Sequence, residues 1–345
     1  MNAHPASGLS AARLGVAVAG ALRAAALFAT AAEPPAGAAD GGLRIARFRG
    51  DRAAAVSFTF DDGFRGATEE TVAMLAPHGF VGTFFICTGD TRDRPEDGGN
   101  RTSWARWKEI VRLGHEVGNH SVTHADLRTV DDAQLETEVD GAYDRILEKL
   151  GVAPFSFAFP FNARDERSER VVRARHRAFR AYQKFYGGEK WTLERANRWV
   201  DEAVAGGEWM VPMLHSLSKG YAAFANPADF DAHLQYVRER EDRVWVDTFG
   251  RVARYVQQRD AATLAGSLAP GRATFTLTSP LDPAVHDVPL SIIIPASGAA
   301  AAKAVRDRED GTLPVTVRPD RLLVEATPSD RVITVTWSTN PPPTR

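Results

Sequence analysis

The chain of 345 residues predicts an α/β fold followed by a small all-β unit. Three observations carry that expectation. Apolar runs rich in β-branched and aromatic residues alternate with amphipathic runs from about residue 54 to about residue 259, the pattern of a parallel sheet wound with helices. Past Ala261 the texture changes to short alternating segments between Pro, Gly and Asp turns, which reads as a sandwich. Acidic and histidine residues stand at the ends of several apolar runs, where such parallel folds place their active sites.

The elements follow in order. Residues 54–60 (AAVSFTF) form a buried strand, with Asp61 and Asp62 at its C-terminal tip and Gly63 breaking it. Residues 68–78 are an amphipathic helix stopped by Gly79. Residues 82–87 (GTFFIC) are a second strand and hold the single cysteine, Cys87, as a buried small hydrophobe. Residues 103–113 form a helix with Ser103 as N-cap and Gly114 as stop, and Trp104 and Trp107 on it pack a core. Residues 116–120 are a short strand that carries His120 at its end. Residues 131–150 have the period of one helix, ended by Gly151. A strand over 155–159 stops at Pro160, a basic helix covers 164–176, and a strand covers 178–182. A helix over 192–205 precedes the strand 209–214 (WMVPML), which ends at His215. A helix over 227–240, a strand over 244–246 and a helix over 248–259 complete the α/β part. The β segments are 273–278, 290–295, 313–317, 321–326 and 331–337.

Composition narrows the function. Hydrophobic content of 44% and charged content of 25% are those of a globular protein. A net charge of −2 gives no reason to expect nucleic acid or an anionic membrane as partner. The first 39 residues hold Arg13, an apolar stretch, Arg23 and a small-residue run, which reads as an export signal and leader. Neither apolar half reaches the ~20 residues of a spanning helix, so no transmembrane span is expected in the mature protein. A secreted, periplasmic or cell-envelope location follows.

The chemistry lies in two short stretches. Asp61-Asp62 is followed about sixty residues later by His120 and His124, four apart. One aspartate and two histidines make a three-ligand set with open positions for water, the pattern of a catalytic metal. Nitrogen and oxygen donors without thiolate suit Zn²⁺, Co²⁺ or another borderline divalent ion. The spare carboxylate is free to act as a base. Neighbouring strand residues point to opposite faces, so the two carboxylates need not share a job, and the residues alone leave open which does which.

Thr59-Phe60-Asp61-Asp62-Gly63 and His120-Ser121-Val122-Thr123-His124 resemble the first two motifs of the polysaccharide deacetylases, the NodB-homology domain of carbohydrate esterase family four. The resemblance runs from about Arg44 to about Arg259 and implies a distorted (β/α) barrel of about seven strands. It implies Asp62, His120 and His124 as metal ligands and Asp61 as general base. His215, after Val211-Pro212-Met213-Leu214, resembles the family's late Leu-x-His motif, whose histidine is general acid to the departing amine; Met213 stands where the motif has Leu. Residues 157–162 (FAFPFN) resemble a third motif that typically reads Phe-Arg-Pro-Pro-Tyr-Gly. Ala158 takes the place of the arginine that orients the base, and Arg164, folding back, is the expected substitute. Phe161, beside Pro160, keeps the backbone N–H that the family uses in its oxyanion hole, and Asn162 takes the place of Gly. The fourth motif is not evident; Trp191, Trp209 and Asp247 are its candidates, with Trp209 as a wall of the substrate site. His115 and His233 read as bystanders.

The implied organisation is a leader (1–39), a deacetylase domain (40–262) and a sandwich-like appendage with a tail (263–345). The implied reaction removes N-acetyl groups from an amino-sugar polysaccharide or oligosaccharide and releases acetate. The same constellation suits an O-acetyl esterase or a non-sugar amidase. The arginine missing at Ala158 also leaves open a catalytically weakened glycan-binding protein.

Overall fold

The structure, a computed structural model, describes residues 42–308 and 311–339. The leader expected over residues 1–39 and the tail at Pro341-Pro342-Pro343 lie outside the described residues. Strand β1 (Arg44–Ile45) opens the described chain. The α/β part holds β2 (Ala54–Val56), β3 (Thr59–Asp62), β4 (Thr83–Ile86), β5 (Glu116–Asn119), β6 (Ser156–Ala158), β7 (Ala178–Arg180), β8 (Lys184–Phe185), β9 (Trp209–Met210), β10 (Pro212–Leu214) and β11 (Val244–Val246). Helices α1 (Arg65–Leu75), α2 (Trp104–Arg112), α3 (Asp132–Glu136), α4 (Ala142–Leu150), α5 (Glu166–Arg175), α6 (Leu193–Gly206), α7 (Pro227–Arg238) and α8 (Phe249–Ala261) alternate with them.

The expected strand over 54–60 is two strands in two sheets. β3 lies in a seven-stranded parallel sheet of order β7-β6-β5-β4-β3-β10-β8, and β2 lies in a three-stranded parallel sheet of order β11-β2-β9. The run 209–214 divides in the same way into β9 and β10. At the break, Ser57 N donates to the Met210 carbonyl at 3.0 Å, and Ser57 Oγ accepts from Trp209 Nε1 at 3.0 Å. Two bent runs therefore carry the chain from one sheet to the other. β7 and β8 end the larger sheet as edges, so the barrel is distorted and open.

Register sets the site. Asp62 lies beside Ile86, and Ile86 beside Asn119, so three neighbouring strands end level. Leu214 pairs with Phe60, which brings His215, the next residue, alongside Asp61. Phe58, Phe60, Phe84 and Leu214 share an apolar cluster with Leu75 of α1 and Val200 of α6. Trp104 and Trp107 are buried in that cluster and are core residues.

The expected single helix over 131–150 is interrupted. Asp131 caps α3 by accepting from Gln134 N at 2.8 Å. A π turn, Thr137–Gly141, then separates α3 from α4. The wider turn shifts the phase of the helix, and Glu138, polar by any periodicity, ends 2% exposed.

The C-terminal part is two antiparallel sheets. One is ordered β1-β14-β17-β16 and the other β12-β13-β18-β15, built from β12 (Thr263–Ala269), β13 (Arg272–Thr278), β14 (Leu290–Pro295), β15 (Ala299–Arg306), β16 (Val315–Val317), β17 (Arg321–Ala326) and β18 (Ser329–Thr339). The sequence pattern missed β12 and β15, which are rich in alanine and small residues and gain strand geometry from pairing with β13 and β18. Arg44–Ile45 was expected with the α/β part and instead pairs antiparallel with β14. One apolar cluster runs from Ile45, Phe48, Trp245, Val252 and Tyr255 into Leu277, Leu290, Ile292 and Val324. Tyr255 Oη donates to the Ala46 carbonyl at 2.9 Å within it. The β unit thus shares a core with the barrel. No helix among the described residues is long and apolar enough to cross a membrane.

Three histidines are structural. His115 Nδ1 accepts from Gly82 N at 3.0 Å, and His233 sits between Tyr186 Oη at 3.1 Å and Asn197 Oδ1 at 2.7 Å. His176 Nδ1 donates to the Val172 carbonyl at 3.1 Å. Burial pulls His115 and His176 down to about 4 and His233 to about 3. Their folded values lie below the unfolded value of 6.5, so the unfolded chain binds more protons as pH drops through that window. Stability is therefore held above pH ~6.5 and lost on acidification towards 4. Urea unfolding at pH 7 and pH 5 should differ by on the order of 1–2 kcal/mol per histidine. A flat profile would mean that these imidazoles ionise inside the fold.

Candidate active site

β3 delivers two carboxylates with different backbones. Asp61 continues the strand, while Asp62 turns into the left-handed region at φ 72° and Gly63 follows at φ 72°. Gly63 N donates back to the Asp61 carbonyl at 2.9 Å, a tight turn at the strand tip. A Cβ on Gly63 would lie 3.1 Å from both Ile86 Cγ2 and Trp107 Cζ2, so a side chain there would crowd these neighbours as well as strain the positive φ. The Arg101 guanidinium donates to the Asp62 carbonyl and lies 4.2 Å over the Phe64 ring, which pins the turn from outside.

β5 delivers the histidine loop. His120 N donates to the Ile86 carbonyl at 3.0 Å, and His120 Nδ1 lies 2.7 Å from the Ala158 carbonyl. A carbonyl only accepts, so Nδ1 carries the hydrogen and Nε2 keeps a lone pair. Burial pulls His120 down to about 4 against the pull of Asp61, so the ring is neutral at neutral pH, as a metal ligand must be. Ser121 and His124 both have positive φ, 71° and 65°. Asn119 Oδ1 accepts from Ser121 N at 2.8 Å, and Ser121 Oγ accepts from His124 N at 2.9 Å. Glu138 closes the loop, accepting from Val122 N at 3.0 Å, Thr123 N at 2.8 Å and Thr123 Oγ1 at 2.6 Å.

Asp62 Oδ1 lies 3.5 Å from His124 Nε2 and 3.8 Å from His120 Nε2. One donor atom from each of Asp62, His120 and His124 falls within 4.8 Å of the others, a spacing that could hold a metal ion. The two nitrogens and one oxygen fit a borderline divalent cation.

Asp61 is buried and bound in bidentate fashion. Arg180 donates from Nη1 to Oδ1 at 2.7 Å and from Nη2 to Oδ2 at 2.5 Å, and Nη1 also reaches Thr59 Oγ1 at 2.9 Å. Burial alone would push the Asp61 carboxyl up. The Arg180 guanidinium, with help from His120 and His215, outweighs it and holds the carboxyl below the usual carboxylate range. Asp61 and His215 line one small cavity with Phe60, Phe64, Thr68 and Thr71. His215 Nδ1 is buried with no hydrogen-bond partner among the described residues.

Residues 49–177 match the family model described as polysaccharide deacetylase. This segment therefore carries a polysaccharide deacetylase domain match. It is 35% identical over 98 residues to a chitooligosaccharide deacetylase of Sinorhizobium fredii, covering 28% of this chain and 41% of the relative. It is 30% identical over 97 residues to a peptidoglycan-N-acetylmuramic acid deacetylase of Bacillus subtilis, covering 28% and 34%. A gellan lyase of a Bacillus species is 24% identical over 292 residues, 73% of this chain but 11% of that protein. The chain thus spans less than half the length of these curated relatives. Among solved structures, a chitin deacetylase from Colletotrichum lindemuthianum is 18% identical with a TM-score of 0.47, covering 58% of this chain and 87% of that one.

The structure departs from the expected site at four residues, Arg164, Trp209, Trp191 and Asp247. Arg164 does not fold back to Asp61; it pairs with Glu169 Oε1 at 2.9 Å on the helix that follows it, α5. Arg180 takes the place beside Asp61 instead. Ala158 and Arg180 are direct partners in the β6–β7 pairing, so the guanidinium comes from one strand further along the sheet at the same level. Trp209 sits at the far end of the run that carries His215, 4.8 Å from the Phe249 ring, and does not line the site. Trp191 packs on Phe224 at 4.6 Å, and Asp247 accepts from Thr248 N at 2.8 Å at the start of α8. Phe161 lies 4.5 Å from the His124 ring, next to Pro160. Phe161 and Asn162 have φ of 59° and 55°, which explains Asn where the motif has Gly, since Asn tolerates the left-handed region. Arg180 had one sequence signal, a charged residue closing the strand run Ala178-Phe179-Arg180. Glu138 had none, because only the π turn brings it inward.

Arg180→Ala leaves a buried carboxylate unpaired and should cost about 3–5 kcal/mol in urea unfolding. Arg180→Lys keeps the charge but loses the two-pronged contact, so it should fall between the two. Adding Ala158→Arg to Arg180→Ala should recover part of the loss. No recovery would mean that a guanidinium from β6 cannot reach Asp61.

Proposed function

We propose that this chain is a metal-dependent hydrolase that removes N-acetyl groups from an amino-sugar polysaccharide or oligosaccharide and releases acetate. The observation that carries the reading is a buried, ionised Asp61 that lies beside the cluster of Asp62, His120 and His124 and lines a small cavity with His215. The names of the two deacetylase relatives, one for chitooligosaccharide and one for peptidoglycan N-acetylmuramic acid, support the substrate class.

A divalent cation such as Zn²⁺ or Co²⁺, held by Asp62, His120 and His124, would polarise the acetyl carbonyl and acidify the attacking water. Asp61 accepts the proton of that water as its oxygen adds to the acetyl carbon. Both Asp61 oxygens bond Arg180, yet each carboxylate oxygen keeps a second lone pair for this proton. The backbone N–H of Phe161, whose ring lies 4.5 Å from that of His124, is the assigned donor to the developing oxyanion. The carbon–nitrogen bond breaks, His215 gives its proton to the sugar amine, and acetate leaves. An export leader would place the protein at cell-envelope or extracellular glycans.

A second reading, O-acetyl ester hydrolysis, is favoured by one feature. His215 Nδ1 has no hydrogen-bond partner among the described residues to orient the ring. An alkoxide leaves more readily than an unprotonated amide nitrogen, so an ester asks less of this acid.

Acetate release from N-acetylglucosamine oligomers should vanish with EDTA and return with Zn²⁺ or Co²⁺. Asp61→Asn should cut kcat by about 10²–10⁴-fold. His215→Ala should cut amide hydrolysis by a similar factor and ester hydrolysis less. Bound metal without acetate release from amide or ester would overturn the reading.

A further inference from the structure

The two sheets of the β unit have four outer edges, and three of them are protected. β1 and β16, which bound one sheet, are two and three residues long. β15, which bounds the other, carries Lys303 and Arg306 and has a register break between Ala299 and Ala301. It is also bridged to Leu313, whose N donates to the Ala304 carbonyl at 3.0 Å. Short strands, charges, bulges and covering segments keep a sheet edge from pairing with another chain. β12 has none of these. It runs seven residues, Thr-Leu-Ala-Gly-Ser-Leu-Ala, without a charge or a proline, and stays in continuous register with β13 from Thr263 to Ala269. Among the described residues no strand pairs with its other side.

This edge also reads nearly the same from either end. A two-fold axis at Gly266 sets Leu264 opposite the partner's Leu268, Ala265 opposite the partner's Ser267 and Thr263 opposite the partner's Ala269. Side chains alternate between faces, so the leucines share one face and the small polar and alanine residues the other. Leu264 is 5% exposed, and Leu268 packs half-buried on the apolar cluster that the β unit shares with the barrel. Thr263, Ala265, Ser267 and Ala269 face water. Pairing two copies extends the leucine face across the axis and sets no like charges opposite each other. Gly266 keeps the axis free of a side chain. A Cβ there would lie 2.4 Å from the Thr274 carbonyl oxygen and 2.5 Å from Phe275 Cβ, so bare backbone is what lets β12 lie against β13 at this point.

We propose that β12 is a self-association edge: two copies of this chain pair antiparallel through Thr263–Ala269 and join their four-stranded sheets into one sheet of eight strands. The outward N–H and C=O groups of each β12 supply the hydrogen bonds, and the leucines supply the apolar contact. The same edge serves both copies, so the contact closes on itself and stops at two. One strand per copy makes a small interface, below about 1,200 Å², so the pair forms and parts with concentration. The inference does not depend on the proposed reaction, because β12 lies in the β unit and carries none of the proposed site residues.

The test is sedimentation equilibrium of the full-length protein over a dilution series. The mass should rise with concentration from 37.5 kDa towards twice that value. Ala265→Lys and Ser267→Lys, both on the water-facing side, should each raise the dissociation constant roughly tenfold, since the two-fold axis counts each substitution twice. Urea unfolding of each variant checks that it folds like the parent. Ala265→Lys mixed with Ser267→Glu should dimerise again, because the register sets these two positions opposite each other. Hydrogen exchange on the unmodified protein supplies a readout that needs no variant: the amides of residues 263–269 should gain protection as concentration rises. A monomer at every concentration, a dimer indifferent to both lysines, or no recovery in the mixture would overturn the proposal. So would protection of 263–269 that is equal at both ends of the series, which would mean that the chain's own residues cover this edge.

Discussion

The contact between Arg180 and Asp61 is the constraint on which this site depends. In sheet order three strands separate β7, which carries Arg180, from β3, which carries Asp61. A side chain crosses that interval only because the sheet curls until its inner face meets itself. The bent runs at 54–62 and 209–214 produce part of that curl by passing from one sheet to the other. The guanidinium then fills the interior at the level of Thr59 and Asp61. Placed in an apolar interior alone, either charge would be prohibitive; together they fix the distance across the barrel and keep the carboxylate ionised. The same side chain thus serves closure of the fold and the protonation state of the proposed base.

Around this pair, backbone conformations that ordinary residues avoid are concentrated at the site. Of the eight non-glycine residues with positive φ among those described, five are Asp62, Ser121, His124, Phe161 and Asn162. Each costs on the order of 1 kcal/mol or more and persists because neighbours hold it. Arg101 holds Asp62, Asn119 and Ser121 hold the histidine loop, and Glu138 satisfies that loop's N–H groups from the π turn. The π turn is a second local departure from regular structure that serves the same loop. Side-chain direction at the proposed ligands is therefore set by backbone strain balanced against hydrogen bonds, with little freedom left in the imidazoles.

The β unit is bound into this arrangement through its core. Its apolar cluster includes Trp245, Val252 and Tyr255, on the last parallel strand and on the helix after it. β1, at the start of the described chain, pairs with β14, so both ends of the α/β part are tied to the same sheets. Unfolding the β unit would expose the outer face of α8, which makes the two parts one cooperative body at this surface.

The alternation of strands and helices, the change of texture after Ala261 and the acidic and histidine residues that gather as Asp62, His120 and His124 were legible in the sequence. Periodicity and short contiguous motifs record local geometry, and Asp61-Asp62 and His120 to His124 each lie on one strand tip or loop. Tertiary structure decided the rest. Arg180 stands beside Asp61 because β6 and β7 pair Ala158 with Arg180, a relation across strands that no local pattern encodes. Glu138 enters the site because one wide helical turn changes its facing, and Trp209 leaves it because it lies at the wrong end of its strand. The split of residues 54–60 between two sheets, and the strands β12 and β15 in alanine-rich stretches, depend on partners far along the chain. Sequence alone determined which residue types reach the strand tips. Closure of the sheet decided which of them meet, because contact across a barrel depends on register and curl, not on spacing along the chain.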